Sequence, residues 1–403
     1  MKIRRKSKYK EIAIWLLAII SGILLIWYEY NLVHNHKKET SQYVEEKKQP
    51  KIQNFSTKLL FTGNIYLSRY INDWAMASPL KYAYPFSRLT ELEIENYNAW
   101  IGGLECPMKA NFQQTSAQED ATLTFNCSPN YLPELAKWFN AVTLANNHTD
   151  NQGEEGFQET KQHLSGAGIQ YFGYYDPRKV EDVCEVVSIP ADVDYDDGTK
   201  KTGKLPVAMC AWVGVFRIPP PESAEVMKKY SPYMPVIAMP HMGKEYVASP
   251  DEIKTNFYRS LIDNGAEMVL GDHPHWVQTT ESYKGHLIVY SMGNFMFDQQ
   301  DSSEVTRSAA IKVVIDSAQN ESSIVDKWLE IGKSCDEFKD NCLEQAMTQN
   351  LPKLNLTYKF DVIATDNAGK ITHLASEATK KSILQRMNWQ DTMSKLVNPY
   401  QKL

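Results

Sequence analysis

The sequence predicts an α/β fold, a sandwich of sheets covered by helices, preceded by one transmembrane helix. From Lys58 onwards, short apolar and β-branched runs typical of strands alternate with longer periodic runs typical of helices. Later strand-like runs are separated only by turn residues, which indicates hairpins. An uncharged apolar run of 17 residues, at positions 12–28, precedes all of these. That run is at the short end of the length that spans a bilayer.

The N-terminus carries the signals of a membrane anchor. Six of the first ten residues are Lys or Arg, and Trp27, Tyr28 and Tyr30 stand at the end of the apolar run, as in an interfacial belt. We expect a basic cytoplasmic tail (1–11), a single-pass signal anchor (12–30) and an extracytoplasmic remainder at the cell membrane. The alternative is a cleaved signal peptide, which would also export the domain. Residues 31–55 are polar and charged, which predicts a flexible stalk.

Charge and cysteine content limit which partners and which cellular compartment the chain can have. The formal net charge of −6 and the pI of about 5.9 give no indication of nucleic-acid binding. The chain has six cysteines, which allow 15 disulfide connectivities in an exported domain or, alternatively, six buried thiols. We expect neighbours along the chain to pair. A hairpin turning near Asp197 would place Cys184 opposite Cys210, whereas a Cys335–Cys342 bond requires a helix break near residues 340–341.

The elements follow one another within a main domain predicted at 56–376. The first half contains a strand and loop (58–64), a helix leading into a strand (89–105), and two helix–strand units (133–148 and 155–173). The cysteine hairpin (184–210) and a short strand ending at His241 come next. A helix capped by Ser249 then leads to a strand before residue 271, and three more strands follow (286–297, 307–316 and 358–375). Residues 321–352 read as a polar helical insertion, and residues 377–403 as an amphipathic C-terminal helix.

Polar clusters stand at the predicted strand ends, where sites of α/β folds gather. They are Gly63-Asn64, Leu104-Glu105, Asn146-Asn147-His148, His241, Gly271-Asp-His-Pro-His275 and Ser291-Met-Gly-Asn294. Imidazole, carboxylate and amide oxygen are ligands for divalent metals. An isolated His-x-His pair is weak, because many such pairs are surface or capping histidines. Because the other polar clusters lie in this order along the chain, the His273–His275 pair becomes a candidate metal site.

These motifs resemble a known family. LLFTGNIYLSR, WIGGLECPM, LANNHTDNQGEEGFQET, HMGKEY, GDHPHWVQ and HLIVYSMGNFMFDQ are similar to motifs of the CapA/PgsA family of poly-γ-glutamate capsule biosynthesis proteins, a branch of the calcineurin-like metallophosphoesterases. The resemblance covers roughly residues 58–316. It implies a four-layer αββα metallophosphoesterase-like sandwich with metals at the strand ends.

The resemblance also implies roles for individual residues. It places one metal on Asn64, the bridging Glu105 and His275, and a second metal on Glu105, Asn147, His241 and His273. It makes His148 a catalytic proton donor or phosphate-binding group, beside the catalytic bridging Glu105. It assigns the substrate pocket to Arg69, Glu245, Ser291 and Asn294. The cofactor would be one or two divalent ions, Mn, Zn or Fe.

Two positions depart from the family pattern. Asn64 stands where the family carries Asp, and a neutral amide is a poorer ligand for a hard dication than a carboxylate. Gly103 stands where the family tends to carry Asn before Leu-Glu. We therefore expect the second metal to bind more tightly than the first, which would be labile or absent.

The family resemblance implies a role in capsule biosynthesis or export, with polymer-synthase and membrane-channel proteins as partners and an anionic polymer as ligand. Two alternatives stay open. The domain is an active metal-dependent phosphoesterase with a cell-envelope phosphoester substrate, or a scaffold that retains a degraded site. Whether the chain is a phosphoric ester hydrolase is left undecided by its residues, since Asn64 weakens one half of the site.

Overall fold

The chain forms two units, Met1–Pro50 and Lys51–Leu403, in a computed structural model that describes residues 4–39, 50–317, 322–335 and 339–402. The first unit contains helix α1 (Arg4–Glu39). Its segment Ile12–His34 has a mean hydropathy of 2.1, and this helix alone in the described part of the chain is long and apolar enough to cross a membrane. The predicted N-terminal apolar helix is therefore present.

The second unit contains the sheet strands. Its described strands are β1 (Ile52–Ile65), β2 (Ala99–Leu104), β3 (Ala141–Thr143), β4 (Gln170–Phe172), β5 (Cys184–Tyr195), β6 (Lys200–Cys210), β7 (Val213–Gly214), β8 (Val236–Ala238), β9 (His241–Met242), β10 (Met268–Leu270), β11 (Thr280–Tyr283), β12 (His286–Val289), β13 (Asn294–Met296), β14 (Arg307–Ser317), β15 (Leu356–Asp366), β16 (His373–Leu374) and β17 (Tyr400–Lys402).

Helices cover these strands. The α-helices are α2 (Arg69–Ala77), α3 (Ser116–Thr122), α4 (Leu132–Leu135), α5 (Gly153–Gly166), α6 (Glu252–Asp263), α7 (Ser303–Thr306), α8 (Ser322–Ser334), α9 (Lys339–Thr348), α10 (Glu377–Arg386) and α11 (Trp389–Ser394). Short 3-10 helices lie at Lys81–Phe86, Leu89–Leu92, Ile94–Asn96, Pro129–Tyr131, Val180–Asp182 and Pro221–Lys229.

Strand β1 joins the two halves of the sandwich. Its first residues pair antiparallel with β5, and its later residues pair parallel with β2 and antiparallel with β14. One half has the strand order β4–β3–β2–β1–β14–β15, and the other half has the order β11–β12–β10–β8–β6–β5. The parallel pairs within each half, β1–β2–β3–β4 and β6–β8–β10–β12, point their carboxyl ends to one edge.

Side-chain alternation along β1 separates two cores. Leu59 and Phe61 pack in the core that includes the β5 and β6 residues, whereas Leu60 packs with Trp100 and Phe295 in the other core. All of these side chains are buried. Because successive strand residues face opposite sides, a strand covered on both faces reads as a continuous apolar run. This arrangement confirms the predicted α/β class and sandwich.

Several predicted boundaries differ from the structure. Helix α1 extends to Glu39 and strand β1 begins at Ile52, so both ends of the stalk predicted at 31–55 are regular structure. Residues 40–49 of that prediction lie outside the described part of the chain. Residues 89–96 form two 3-10 helices instead of an α-helix, with Glu93 at φ +53° between them. Helix α6 is capped by Asp251, not Ser249, because the Asp251 side chain accepts a hydrogen bond from the Lys254 amide.

The C-terminal segment is also more broken than predicted. The described part of the segment predicted as one helix, residues 377–402, contains α10, α11 and β17, since Asn388 adopts a left-handed φ of +52° between the two helices. The 321–352 segment contains the predicted helical insertion as α8 and α9. The segment was predicted to be polar, but Val325, Trp328 and Leu329 of α8 are buried in the core.

Three disulfides join neighbouring cysteines, as predicted: Cys106–Cys127, Cys184–Cys210 and Cys335–Cys342. Cys184 and Cys210 stand opposite each other in the β5–β6 hairpin. The break that permits the third bond lies between α8 and α9, a few residues before the predicted break at 340–341, which falls inside α9. Residues 336–338 of that break lie outside the described part of the chain.

We predict that replacing Cys184 and Cys210 together by Ala lowers the free energy of unfolding by about 3–4 kcal/mol, because the bond closes a loop with a sequence separation of 26. The matched Cys335 and Cys342 double replacement should cost about 2 kcal/mol, since it opens a separation of only 7. Urea unfolding of the full chain in detergent would measure both. Equal losses, or a larger loss at the shorter loop, would contradict the loop-closure account.

Candidate metal centre

The predicted polar clusters meet at the carboxyl-end edge of the parallel strands. Asn64 lies near the end of β1, Glu105 follows β2, and Asn147 follows β3. In the other half, His241 follows β8 and the 271–275 loop follows β10. An edge at which several parallel strands end is the usual ligand site of an open α/β sheet. The two halves of the sandwich therefore contribute to one cluster.

The half predicted to hold the second metal is closely assembled. Nε2 of His241 lies 2.8 Å from Oδ1 of Asn147 and 3.1 Å from Nδ1 of His273. Burial lowers the pKa of each imidazole well below its ordinary value, so both rings are neutral. Ligand atoms on one ion, each about 2.1 Å from it, stand roughly 3.0–3.4 Å apart, which is close to the observed spacing.

Asn294 orients the other half. Its Nδ2 donates to Oε1 of Gln299 (3.0 Å) and to the Val305 carbonyl (3.2 Å), which turns its Oδ1 toward the cluster. That oxygen lies 2.8 Å from Nδ1 of His275 and accepts from Nδ2 of Asn64 at 3.2 Å. Because an amide oxygen only accepts, Nδ1 of His275 carries the proton and Nε2 keeps its lone pair.

Glu105, the residue predicted to bridge two ions, is a buried acidic group. Glu105 is 1 % exposed, and its Oε2 has no hydrogen-bond partner among the described residues. Burial, followed by the charge of Asp272, raises the pKa of Glu105 well above its ordinary value. The Oδ1 of Asn64 is likewise buried without a partner. A buried polar group left unpaired costs about 1–3 kcal/mol, which a bound cation would relieve.

The donor types, imidazole nitrogen with carboxyl and amide oxygen, are those that a divalent ion of the Mn, Zn or Fe type accepts. The fit depends on amide oxygens as well as imidazoles. No group of three His, Cys, Asp or Glu side chains in the described ranges stands ready to hold an ion by itself.

His148 lies beside the cluster. Its backbone amide donates to Oδ1 of Asn146 (2.8 Å), and its Nδ1 lies 3.1 Å from Oδ1 of Asn151. Burial lowers the pKa of His148 to about 4. With Nδ1 donating to Asn151, the neutral ring presents a lone pair at Nε2. The predicted role of proton donor would require the doubly protonated ring.

The residues predicted to shape a substrate pocket are placed unequally. Arg69 forms a two-pronged ion pair with Asp298 (both 2.7 Å) and contacts Asp120 at 3.0 Å, so its charge is already matched. Ser291 is buried and accepts from the Gly293 amide. Glu245 is partly exposed, with Oε1 3.9 Å from Nε2 of His275. Glu245 is therefore the member of this set that faces both solvent and the cluster.

A pocket opens next to the cluster. It has a volume of about 230 Å³, and its lining includes Asn147, Asp150, Tyr175, Phe216 and Arg217. Asn147 thus belongs to both the cluster and the pocket wall. A ligand in this pocket would lie beside any ion that Asn147 holds.

Strained backbone presents the two loop histidines. His273 has φ +94° and His275 has φ +61°, a region that residues with a side chain rarely adopt. Gly271 precedes them where a Cβ would lie 2.4 Å from the Tyr258 hydroxyl. Such strain persists where the surrounding structure over-determines the loop, and it clusters at functional sites.

Three polar residues of the site were not predicted as members. Asn146 places Nδ2 3.1 Å from Nε2 of His241, Asp272 is buried between the halves, and Lys254 is buried with Nζ donating to Gln278 at 3.0 Å. Burial lowers the pKa of Lys254 to about 7. Asn146 and Asp272 stood inside quoted motifs, whereas Lys254 had no signal beyond its place on an amphipathic helix.

The family model described as bacterial capsule synthesis protein PGA_cap matches residues 58–191 and 222–299, which is just over half of the chain. The chain belongs to this family. Every residue predicted for the site lies within the two matched segments. The resemblance inferred from the motifs is therefore confirmed.

Curated relatives carry corresponding names. The chain is 28 % identical over 268 residues to the PGA biosynthesis protein CapA of Bacillus subtilis, covering 62 % of this chain and 66 % of the relative. It is 24 % identical over 258 residues to the capsule biosynthesis protein CapA of Bacillus anthracis, covering 61 % of each. A probable polyglutamine synthesis accessory protein of Mycobacterium tuberculosis is 25 % identical over 256 residues, with 59 % and 66 % covered. The chain spans slightly less than two thirds of each relative.

We predict that Asn64→Asp raises the affinity for Mn²⁺ at least about tenfold, because a carboxylate replaces a neutral oxygen at the weaker half. In the metal-free protein the same change should lower Tm, since the new oxygen replaces the group that donates to Oδ1 of Asn294. Calorimetric titration and thermal unfolding in chelator would measure the two effects. Asn130→Asp, an exposed change of the same chemistry, is the control; unchanged affinity in Asn64→Asp would contradict the placement of Oδ1.

Proposed function

We propose that this protein is a membrane-anchored accessory protein for the synthesis or export of a poly-γ-glutamate capsule, and that it binds a divalent cation at the carboxyl-end cluster. The observation that carries the proposal is that one family match contains every member of the convergent cluster. The names of the curated relatives agree with this role. Polymer-synthase and membrane-channel proteins would be its partners.

The same proposal places the domain outside the cytoplasm. The helical segment Ile12–His34 would form a single-pass anchor, and the basic residues before it would stay in the cytoplasm. Three disulfides support this placement, because such bonds persist mainly in oxidising compartments. The cluster would then face the envelope, where a growing or exported polymer is present.

Different residues of the chain would bind the ions and position the ligand. His241, His273, Asn147 and Glu105 would hold one ion, while His275, Asn64 and the shared Glu105 would hold a second, more weakly bound one. When bound, a divalent ion supplies positive charge and Lewis acidity. Glu245 and the pocket beside Asn147 would then position carboxylate or phosphoester oxygens of the ligand near that charge.

A phosphoesterase is the second candidate function. It is favoured by His148, which is held next to the cluster by Asn146 and Asn151. It is disfavoured by Asn64, which leaves the first half without its own carboxylate. A scaffold with a degraded site is disfavoured by the unpaired buried oxygens of Asn64 and Glu105, because a buried polar atom without a partner costs free energy that a bound ion would recover.

Binding and hydrolysis can be separated in one experiment on the full chain in detergent. The protein is loaded with Mn²⁺, freed of unbound ion, and tested for poly-γ-glutamate binding and for bis-p-nitrophenyl phosphate hydrolysis. We expect polymer binding that chelator or His241→Ala abolishes and that His163→Ala, outside the cluster, retains. Hydrolysis lost in His275→Ala would favour the phosphoesterase. Polymer binding that is unchanged by chelator and by His241→Ala would refute the metal-dependent role.

A further inference from the structure

Asp272 is a buried carboxylate to which neither the family pattern nor the function proposed above assigns a role. Its residue is 6 % exposed, and neither Oδ1 nor Oδ2 has a hydrogen-bond partner among the described residues. Its backbone is well held: the amide donates to the Pro240 carbonyl (3.0 Å), and the Asp272 carbonyl accepts from the Met242 amide (3.2 Å). The main chain is therefore satisfied, while the side chain is left with two unpaired acceptors.

The side chain crosses from one half of the sandwich to the other. A Cβ placed on Gly103 would lie 3.1 Å from Oδ2 of Asp272, so the carboxylate reaches strand β2. Gly103 pairs with Asn64 in the β1–β2 register and stands two residues before Glu105. The absence of a side chain at Gly103 thus leaves the space that the carboxylate of Asp272 enters, beside the residues of the bridging position.

Neither acidic group forms an ion pair among the described residues, although the charge of the buried Lys254 opposes the rise that burial causes in the pKa of Asp272. The described residues contain no ion pair of Asp272 or Glu105 with Lys254, whose Nζ donates to Gln278. Arg69 is engaged by Asp298 and Asp120. Two acidic groups buried together require either protonation or a bound cation.

We propose that Asp272 is an additional anionic group of the metal centre, which supplies, with Glu105, the negative charge that the neutral Asn64 does not. A hard dication prefers carboxylate oxygens to neutral donors, and two acidic side chains match its charge. The inference rests on the metal binding proposed above. It differs from that proposal in giving the first half an anionic group from the 271–275 loop.

The test compares Mn²⁺ affinity in the wild-type full chain and in Asp272→Asn, a variant of nearly the same shape, by calorimetric titration in detergent. We expect Asp272→Asn to bind Mn²⁺ at least tenfold more weakly and to show a smaller rise of Tm on adding Mn²⁺. Its Tm in chelator should stay close to the wild-type value, which shows that the fold is intact. Adding Asn64→Asp to Asp272→Asn should restore much of the lost affinity, because it returns a carboxylate to the same half.

The Lys254→Met variant tests whether Asp272 serves a bound ion or instead acts as the counter-charge of Lys254. If Asp272 serves the ion, Asp272→Asn weakens Mn²⁺ binding equally with Lys254 or Met at position 254. Loss of the effect in the Lys254→Met background would overturn the inference, as would wild-type affinity in Asp272→Asn. Absence of Mn²⁺ binding to the wild-type chain would overturn the proposed function as well, so the two failures are distinguishable.

Discussion

Backbone hydrogen bonding along β1 is the constraint on which the rest of the domain depends. One continuous strand pairs with β5 at its start and with β2 and β14 further along, so it sets the relative position of both sheets. Near the end of the strand, the backbone N–H of Asn64 donates to the Gly293 carbonyl at 3.1 Å. Only glycine fits at position 63, because a Cβ there would lie 1.8 Å from the Gly293 oxygen. The strand therefore delivers Asn64 to the loop that carries Asn294.

Burial gives this meeting point its chemistry. Buried polar groups in proteins are normally hydrogen-bonded, yet Asn64, Glu105 and Asp272 each keep at least one buried oxygen without a partner. The neighbouring His241 and His275 are neutral, since burial lowers the pKa of each; for His275 it falls to about 4. Unpaired oxygens beside neutral imidazoles form an environment that is unfavourable when empty of charge and favourable around a cation. Capsule-polymer handling and phosphoester chemistry would both use such a centre.

The sequence predicted the convergent residues better than it predicted their partners. Strand alternation and motif order were sufficient for the α/β sandwich and for His241 and His273, because parallel strands bring their ends together whatever the loop details are. The 3-10 turns at 89–96 and the break at Asn388 were missed, since each depends on a left-handed residue that no glycine marks. Asp272 was quoted in a motif but overlooked, because its importance arises from a space at Gly103 that appears only when the two sheets are packed.

The central claim is that the unpaired oxygens and neutral imidazoles hold a divalent ion. Anomalous diffraction from crystals of the full chain grown with Mn²⁺ tests it most directly. The account predicts a strong anomalous peak among Glu105, Asn147, His241 and His273, and a weaker one, or none, beside His275 and Asn64. A map with no peak in the cluster, in which water molecules satisfy the oxygens of Glu105 and Asn64, would contradict it.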